Sequence, residues 1–336
     1  MAQGGAHTAA KFVAVALMWG SSFLFIRVAV EGISPAQLAL GRLAVGAAVL
    51  AAIMAVTRRR WPRERRVLGH LTVLALVLCV VPFLLFAWAG QHIPSGLSSI
   101  YNATTPVMTL LISLVALPQE RLTAVRAAAL ALAAAGVVVI AAPWTLVAAP
   151  SGEQFLLGQL AALGATTFYG AGFVYMRRFL TGSRYDAVSV SATQIGIAAM
   201  IMVLLAPFVA TDPMRLDGGI LASVVALGAL STGVAYIWNF DVVRAWGATL
   251  ASTVTYLTPV VGVVLGVVVL GETFTLNQPL GALLVIVGIV VGQGHLRLPR
   301  RGRPVDAAGR DRAPAPGPGA ARPGVERPRA ARLEES

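Results

Sequence analysis

One cysteine, one lysine and four histidines are spread over 336 residues, and each scarcity removes a class of chemistry. Cys79 alone can form neither an intrachain disulfide nor a thiolate metal cluster. A P-loop is excluded because its phosphate-binding lysine has no candidate other than Lys11. His7, His70, His92 and His295 lie far apart and share no ligand spacing. Neither H-E-x-x-H nor G-x-S-x-G occurs, so no catalytic residue, metal or cofactor is expected. Charge is scarce as well: 12% of residues are charged, against about 25% in a soluble domain.

What the chain has in abundance is apolar residues, 57% of the total, with a mean hydropathy of +0.78. A soluble protein of this size could not hide that much apolar surface, because its exterior must carry polar groups. The natural solvent is a bilayer. Soluble enzyme, nucleic-acid binder and disordered scaffold are thereby excluded for the whole chain. The net charge of +12 comes from arginines grouped in Arg58, Arg59, Arg60, Arg63, Arg65 and Arg66 and in the tail beyond residue 296. Basic loops held on the cytoplasmic side explain that grouping. A site for anionic lipid or nucleic acid is the weaker reading.

A helix needs about 20 apolar residues to cross the hydrocarbon layer. Such segments recur at 10–30, 35–57, 67–91, 95–117, 122–143, 155–177, 186–210, 217–242, 246–270 and 277–296, which makes ten spans. Their unbroken runs predict helices; barrel strands would alternate over about ten residues. The first run lacks a small-residue cleavage site and is read as a retained helix, not a signal peptide. Short breaks at 31–34 and 92–94 suit tight hairpins.

With the N-terminus in the cytoplasm, the loops after spans two, four, six and eight face inward. They carry the six-arginine run, Arg121, Arg126, Arg177, Arg178, Arg184 and Arg244. The outward loops hold only Arg215, and none falls between Pro143 and Gln154. Both termini are therefore expected in the cytoplasm of a multi-pass cell-membrane protein. The tail, 297–336, is rich in Arg, Pro, Ala and Gly, has no apolar periodicity, and is expected to be disordered.

The two halves resemble each other. W-G-S-S-F-L-F-I-R, Trp19 to Arg27, matches Y-G-A-G-F-V-Y-M-R, Tyr169 to Arg177, pairing Gly20, Phe23 and Arg27 with Gly170, Phe173 and Arg177. Ser95 to Pro106 matches Ala248 to Pro259, pairing Leu97 with Leu250, Ser99 with Ser252 and Pro106 with Pro259. Each fourth helix then ends in an acid, Glu120 or Glu272. Five spans per half, an odd number, would invert the second copy. The expected fold is an all-α polytopic membrane protein of ten transmembrane helices, built as two inverted five-helix repeats over 10–143 and 155–296.

The W-G-S-S-F motif, the pairing of Pro35 with Arg42, and the L-x-x-x-x-P…L-G-E pattern of each half resemble the EamA-type members of the drug/metabolite transporter superfamily. The resemblance covers about residues 10–296 and rests on order, spacing and duplication more than on any single motif. It implies a ten-helix carrier, usually an exporter of small metabolites, amines, sugars, nucleosides, amino acids or drugs. The chain departs from the pattern in having Pro118, Gln119 and Glu120 in place of the first L-G-E, and in its arginine-rich tail.

Within the spans, Arg42 stands out. A charge at such depth costs about 2.5–3.5 kcal/mol even on lenient scales, so it is expected to face a cavity or a partner. Arg27, nearer an end, can snorkel. The expected cavity residues are Trp19, Arg42, Tyr101, Asn102, Gln194, Tyr236, Asn239 and Tyr256, with Gln194 at the repeat position of Arg42. Interface anchoring is the alternative for Trp88 and Trp238, and pairing with helix-end carbonyls or a nearby acid is the alternative for Arg42. Pro106 and Pro259 are the expected helix breaks. Glu120 and Glu272 are read as caps of the following helix or partners of loop arginines, and Asp241 lies at the inner end of span eight. Gly262, Gly266, Gly288 and Gly292 are expected to pack spans nine and ten together, or to support a homodimer.

The expected function is a secondary transporter, moving a small solute out of the cell by alternating access between the two halves. Its expected partners are that small-molecule substrate and the lipid bilayer, with no nucleic acid. A membrane assembly or signalling protein without transport, and an intramembrane enzyme, are the competing classes. The second lacks any convergent nucleophile and base at depth.

Overall fold

In the computed structural model of the chain, the described residues are 2–117, 122–142, 152–180, 185–246, 254–273 and 275–292. Pro118 to Arg121, Pro143, Arg184, Ala248, Leu250, Ser252 and the tail lie outside them. All regular structure among the described residues is helical. The first half holds α1 (Ala2–Gly20), α2 (Ser22–Ala29), α3 (Pro35–Val56), α4 (Arg65–Ala75), α5 (Val81–His92), α6 (Ser95–Asn102), α7 (Thr105–Ala116) and α8 (Ala124–Ala141). The second holds α9 (Gly152–Phe179), α10 (Ala187–Val209), α11 (Gly218–Val225), α12 (Ala235–Trp246), α13 (Val254–Leu270) and α14 (Asn277–Gly292). Six helical runs are long and apolar enough to cross a membrane: Ala6–Ala29, Pro35–Val56, Arg65–His92, Ser95–Ala116, Ala187–Val209 and Gly218–Asn239. Shorter apolar helices run over Ala124–Ile140, Tyr256–Leu270 and Asn277–Gly288.

Helix starts are set by local chemistry. Ser34 and Gln37 form a capping box at α3, with Pro35 supplying a first-turn position that needs no N–H. Thr123 caps α8, and Asp217 caps α11. Asp186 caps α10 by accepting from the backbones of Val188 and Ser189. Gly271, with φ +63, ends α13 in the left-handed region that glycine adopts without strain.

Two stretches depart from α geometry. A π-helical stretch, Leu76–Val80, joins α4 to α5, and another, Ala226–Val234, joins α11 to α12. They lie at matching places in the two halves, 150 residues apart from Leu76 to Ala226. Pro82 follows the first stretch and removes a backbone donor. In the second, Gly228 and Gly233 let α3 come close: a Cβ at Gly228 would meet Val45 at 2.5 Å and the Arg42 carbonyl at 2.9 Å.

Large apolar side chains cover the outside. Met200, Leu204 and Phe208 on α10 and Val260, Val264 and Val268 on α13 are exposed at helical spacing. Such stripes suit hydrocarbon, not water. Inside, one core packs α2, α5, α6 and α9 around Phe23, Phe86, Leu97 and Tyr101. A second packs α3, α4, α5 and α10 around Leu43, Leu50, Phe83 and Met202.

Contacts made by loops and helix ends fall into two sets, one joining segments expected outside and one joining segments expected inside. On one face, the Arg215 amide donates to the Gly32 carbonyl at 2.8 Å. Gln37 Nε2 donates to the carbonyls of Ala210 and Asp212. Glu272 accepts from the amides of Ser95 and Gly96. On the other, Lys11 pairs with Asp241 and Arg59 with Asp186. Tyr185 Oη donates to Glu64, and Arg178 donates to the Ala116 carbonyl at the end of α7.

Three expectations are corrected here. Glu272 caps α6 of the first half, not the helix that follows it, with both carboxylate oxygens on orphan N–H groups. The glycines of the last two helices do not pack those helices together. Gly262 faces Ser99 of α6, Gly266 faces Ser95 and Glu272, and Gly288 lies against Ala129 and Ala133 of α8. The side chain of Gly292 lies outside the described residues. Pro259 sits inside the continuous α13, with the Thr258 hydroxyl donating to the Val254 carbonyl.

Candidate functional site

The chain does break at Pro106. α6 stops at Asn102 and α7 starts at Thr105, so Pro106 occupies the second position of the new helix. Proline cannot donate to the Asn102 carbonyl, and the Thr105 hydroxyl does so instead at 2.8 Å. The Thr104 hydroxyl donates to the Tyr101 carbonyl and meets Thr166 of α9 at 3.1 Å.

Arg42 lies seven residues into α3, about 10 Å along the helix from Pro35. Its Nε donates to Thr232 Oγ1 at 3.0 Å, and its guanidinium lies 3.8 Å from the centroid of the Phe83 ring. That distance is a close cation–π contact. Thr232 is fully buried and donates in turn to the Leu227 carbonyl, five residues back, across the π-helical turn. The Arg42 charge acts on Tyr169 of α9, Tyr236 of α12 and Cys79 of the first π stretch. No carboxylate belongs to that neighbourhood among the described residues, whose ion pairs are Lys11 of α1 with Asp241 of α12 and Arg59 with the helix cap Asp186.

Gln194 completes the arrangement from the other half. Its side chain is 5% exposed, and Nε2 donates to Cys79 Sγ at 3.2 Å and to the Leu74 carbonyl at 3.5 Å. Arg42 thus reaches the π-helical stretch of the second half, while Gln194 reaches that of the first. The two contacts cross between the halves in opposite directions.

The other expected residues distribute differently. Trp19 joins the group: Nε1 donates to the Ser231 carbonyl at 3.1 Å, and its ring meets Tyr236 edge-on at 6.3 Å. Tyr101 is 1% exposed and its hydroxyl donates to Gln159 Oε1 at 2.5 Å, so it belongs to the packing between α6 and α9. Asn102 is half-buried at the α6–α7 break. Tyr256 is half-buried against the first core. Asn239 is half-buried on α12. Arg27 donates to the Gly90 carbonyl in the last turn of α5 at 3.0 Å, an arginine serving a helix end.

Phe83, Thr232 and Cys79 were not singled out from the sequence as site residues. Pro82 was a visible signal for the first π stretch, and the Gly228/Gly233 pair for the second. A separate recess of about 340 Å³ opens beside Pro35, Leu84, Trp88 and Asp212, sharing no lining residue with the Arg42 group.

Comparison with known proteins adds an independent line. The model of the EamA-like transporter family matches twice, over residues 8–142 and 156–291. A probable terminal-alkyne amino-acid exporter of Streptantibioticus cattleyicolor is 27% identical over 83% of this chain and 91% of its own length. The uncharacterized inner membrane transporter YedA of Escherichia coli is 26% identical over 83% of this chain and 88% of its own. A solved crystal structure shares the fold with a TM-score of 0.58 at 21% identity, covering 86% of this chain and 98% of that one.

Proposed function

The chain belongs to the EamA-like transporter family and is a multi-pass membrane protein, and from that premise we propose that it is a secondary transporter. In this reading it exports a small metabolite or drug across the cytoplasmic membrane by alternating access. Ten helices form two inverted five-helix repeats, over 10–143 and 155–296, with both termini cytoplasmic. The observation that carries the reading is the reciprocal crossing of Arg42 to Thr232 and Gln194 to Cys79. A cation held between two halves, with no carboxylate beside it among the described residues, is costly in hydrocarbon and useful only where a polar surface or solute meets it. Broken and widened helices at that place leave backbone and side-chain groups for a solute, as at the midplane sites of repeat-built carriers.

Alternating access then requires each half to exchange contacts. The loop pairs on the two faces, Gly32 with Arg215 and Arg59 with Asp186, are the contacts such a motion would open in turn. Trp19, Tyr236 and Arg42 would line the solute path, and Tyr101 and Gln159 would hold the α6–α7 break in register. The test is flux in reconstituted vesicles across amino acids, nucleosides and cationic drugs. Saturable movement of at least one solute above empty vesicles is expected. No movement of any, by protein shown to be folded, would overturn the proposal in favour of a membrane protein without transport.

A further inference from the structure

We propose that the Arg42 site takes solutes bearing a carboxylate on an apolar or aromatic body. This inference rests on the carrier reading above and adds the chemical class of its substrate.

Of the Arg42 nitrogens, only Nε donates to a described residue. Tyr236 meets Trp19, which donates to the Ser231 carbonyl beside Thr232, and Tyr169 meets Phe86; neither tyrosine hydroxyl makes a hydrogen bond among the described residues. The partnerless buried side-chain atoms are elsewhere: Ser95 Oγ, Ser98 Oγ, Gln159 Nε2 and Gln278 Oε1. Arg42 as a whole is half-buried.

A planar guanidinium with free terminal nitrogens matches the two oxygens of a carboxylate in a parallel pair of bonds. The phenolic hydroxyls can donate to the same oxygens. With no carboxylate nearby among the described residues, the field at the site is positive and would repel a cationic head group. The surroundings are aromatic: Phe83 lies on the guanidinium, Trp19 meets Tyr236, and Phe86 meets Tyr169 at 6.0 Å. Those rings suit an apolar body attached to the carboxylate.

The test uses the purified full chain and three probes with one aromatic body. N-acetyl-L-phenylalanine carries only the carboxylate, L-phenylalanine carries both charges, and L-phenylalaninamide carries only the ammonium. Ligand-induced thermal shift should give saturable binding of the first two, at least about ten-fold tighter than the amide. Arg42→Gln should abolish that preference. Tyr169→Phe and Tyr236→Phe, which keep the ring packing, should each weaken the carboxylate probes several-fold, so the inference does not depend on one variant folding. Equal or tighter binding of the amide would overturn it, as would a carboxylate preference that survives in Arg42→Gln. Failure of all three probes to bind would also overturn it. Flux of a cationic drug in the same preparation would then leave the carrier reading standing while this one falls.

Discussion

Arg42 and Thr232 lie 190 residues apart in sequence and 3.0 Å apart in space, and Thr232 spends its own proton on a carbonyl five residues back. The hydroxyl is therefore held as an acceptor toward the arginine. A regular α-turn would bring the carbonyl four residues back into that position instead, so the π-helical stretch sets the direction of the contact.

Thr232→Val keeps the shape and removes the acceptor. It should lower stability by about 1–3 kcal/mol, because Nε is left unpaired and the Leu227 carbonyl loses its donor. Flux should fall as the guanidinium loses its fixed orientation, whereas Thr232→Ser should retain most of both. Thermal unfolding and vesicle flux on the two variants check this.

Glu272 holds the first turn of α6 from the opposite half. Glu272→Ala should cost about 0.5–2 kcal/mol, as loss of a helix cap does. Glu272→Gln keeps an acceptor without the charge and should fall between wild type and alanine. Thermal unfolding in detergent orders the three.

Much of this arrangement was legible in the sequence. Apolar runs and arginine asymmetry located the helices and sorted the loops, and the contacts Gly32–Arg215 and Arg59–Asp186 join loops expected on the same side. The depth of Arg42 in an apolar run marked it as needing a partner. Its actual partners were not legible, because an apolar helix periodicity says nothing of which neighbouring helix a side chain meets. Thr232 reads as an ordinary helical threonine until a widened turn frees its oxygen. Pro106 and Pro259 share a repeat position, yet a helix stops just before the first and runs through the second. At Pro106 two flanking threonine hydroxyls take over bonds that close the break.

Asp186 carries the pH prediction. Burial pushes its carboxyl up, but the hydrogen bonds from Ser189 and the Arg59 guanidinium outweigh this and hold it below the usual aspartate range. A depressed folded-state value means stability that is fully present above the ordinary range, about 4, and lost as pH falls through the lower folded value. Wild type should lose thermal stability in that acid window relative to Asp186→Asn. Parallel curves for the two proteins would remove Asp186 as the source.

Orientation follows from the arginine count. A reporter active only in the cytoplasm, fused after Ser336, should be active. Activity of a reporter that works only outside the cytoplasm would contradict both the orientation and the even number of spans.

The most direct measurement is solute flux by Arg42→Ala in reconstituted vesicles, normalised to the amount of folded protein. Removing a charge from the membrane interior should ease insertion by about 2.5–3.5 kcal/mol on the lenient scale, so folded protein should be near normal. Flux per folded molecule should fall sharply, with partial recovery in Arg42→Lys, which keeps the charge without the planar fork. Normal flux in Arg42→Ala, or a loss of flux matched by an equal loss of folded protein, would contradict the placement of Arg42 at the transport site.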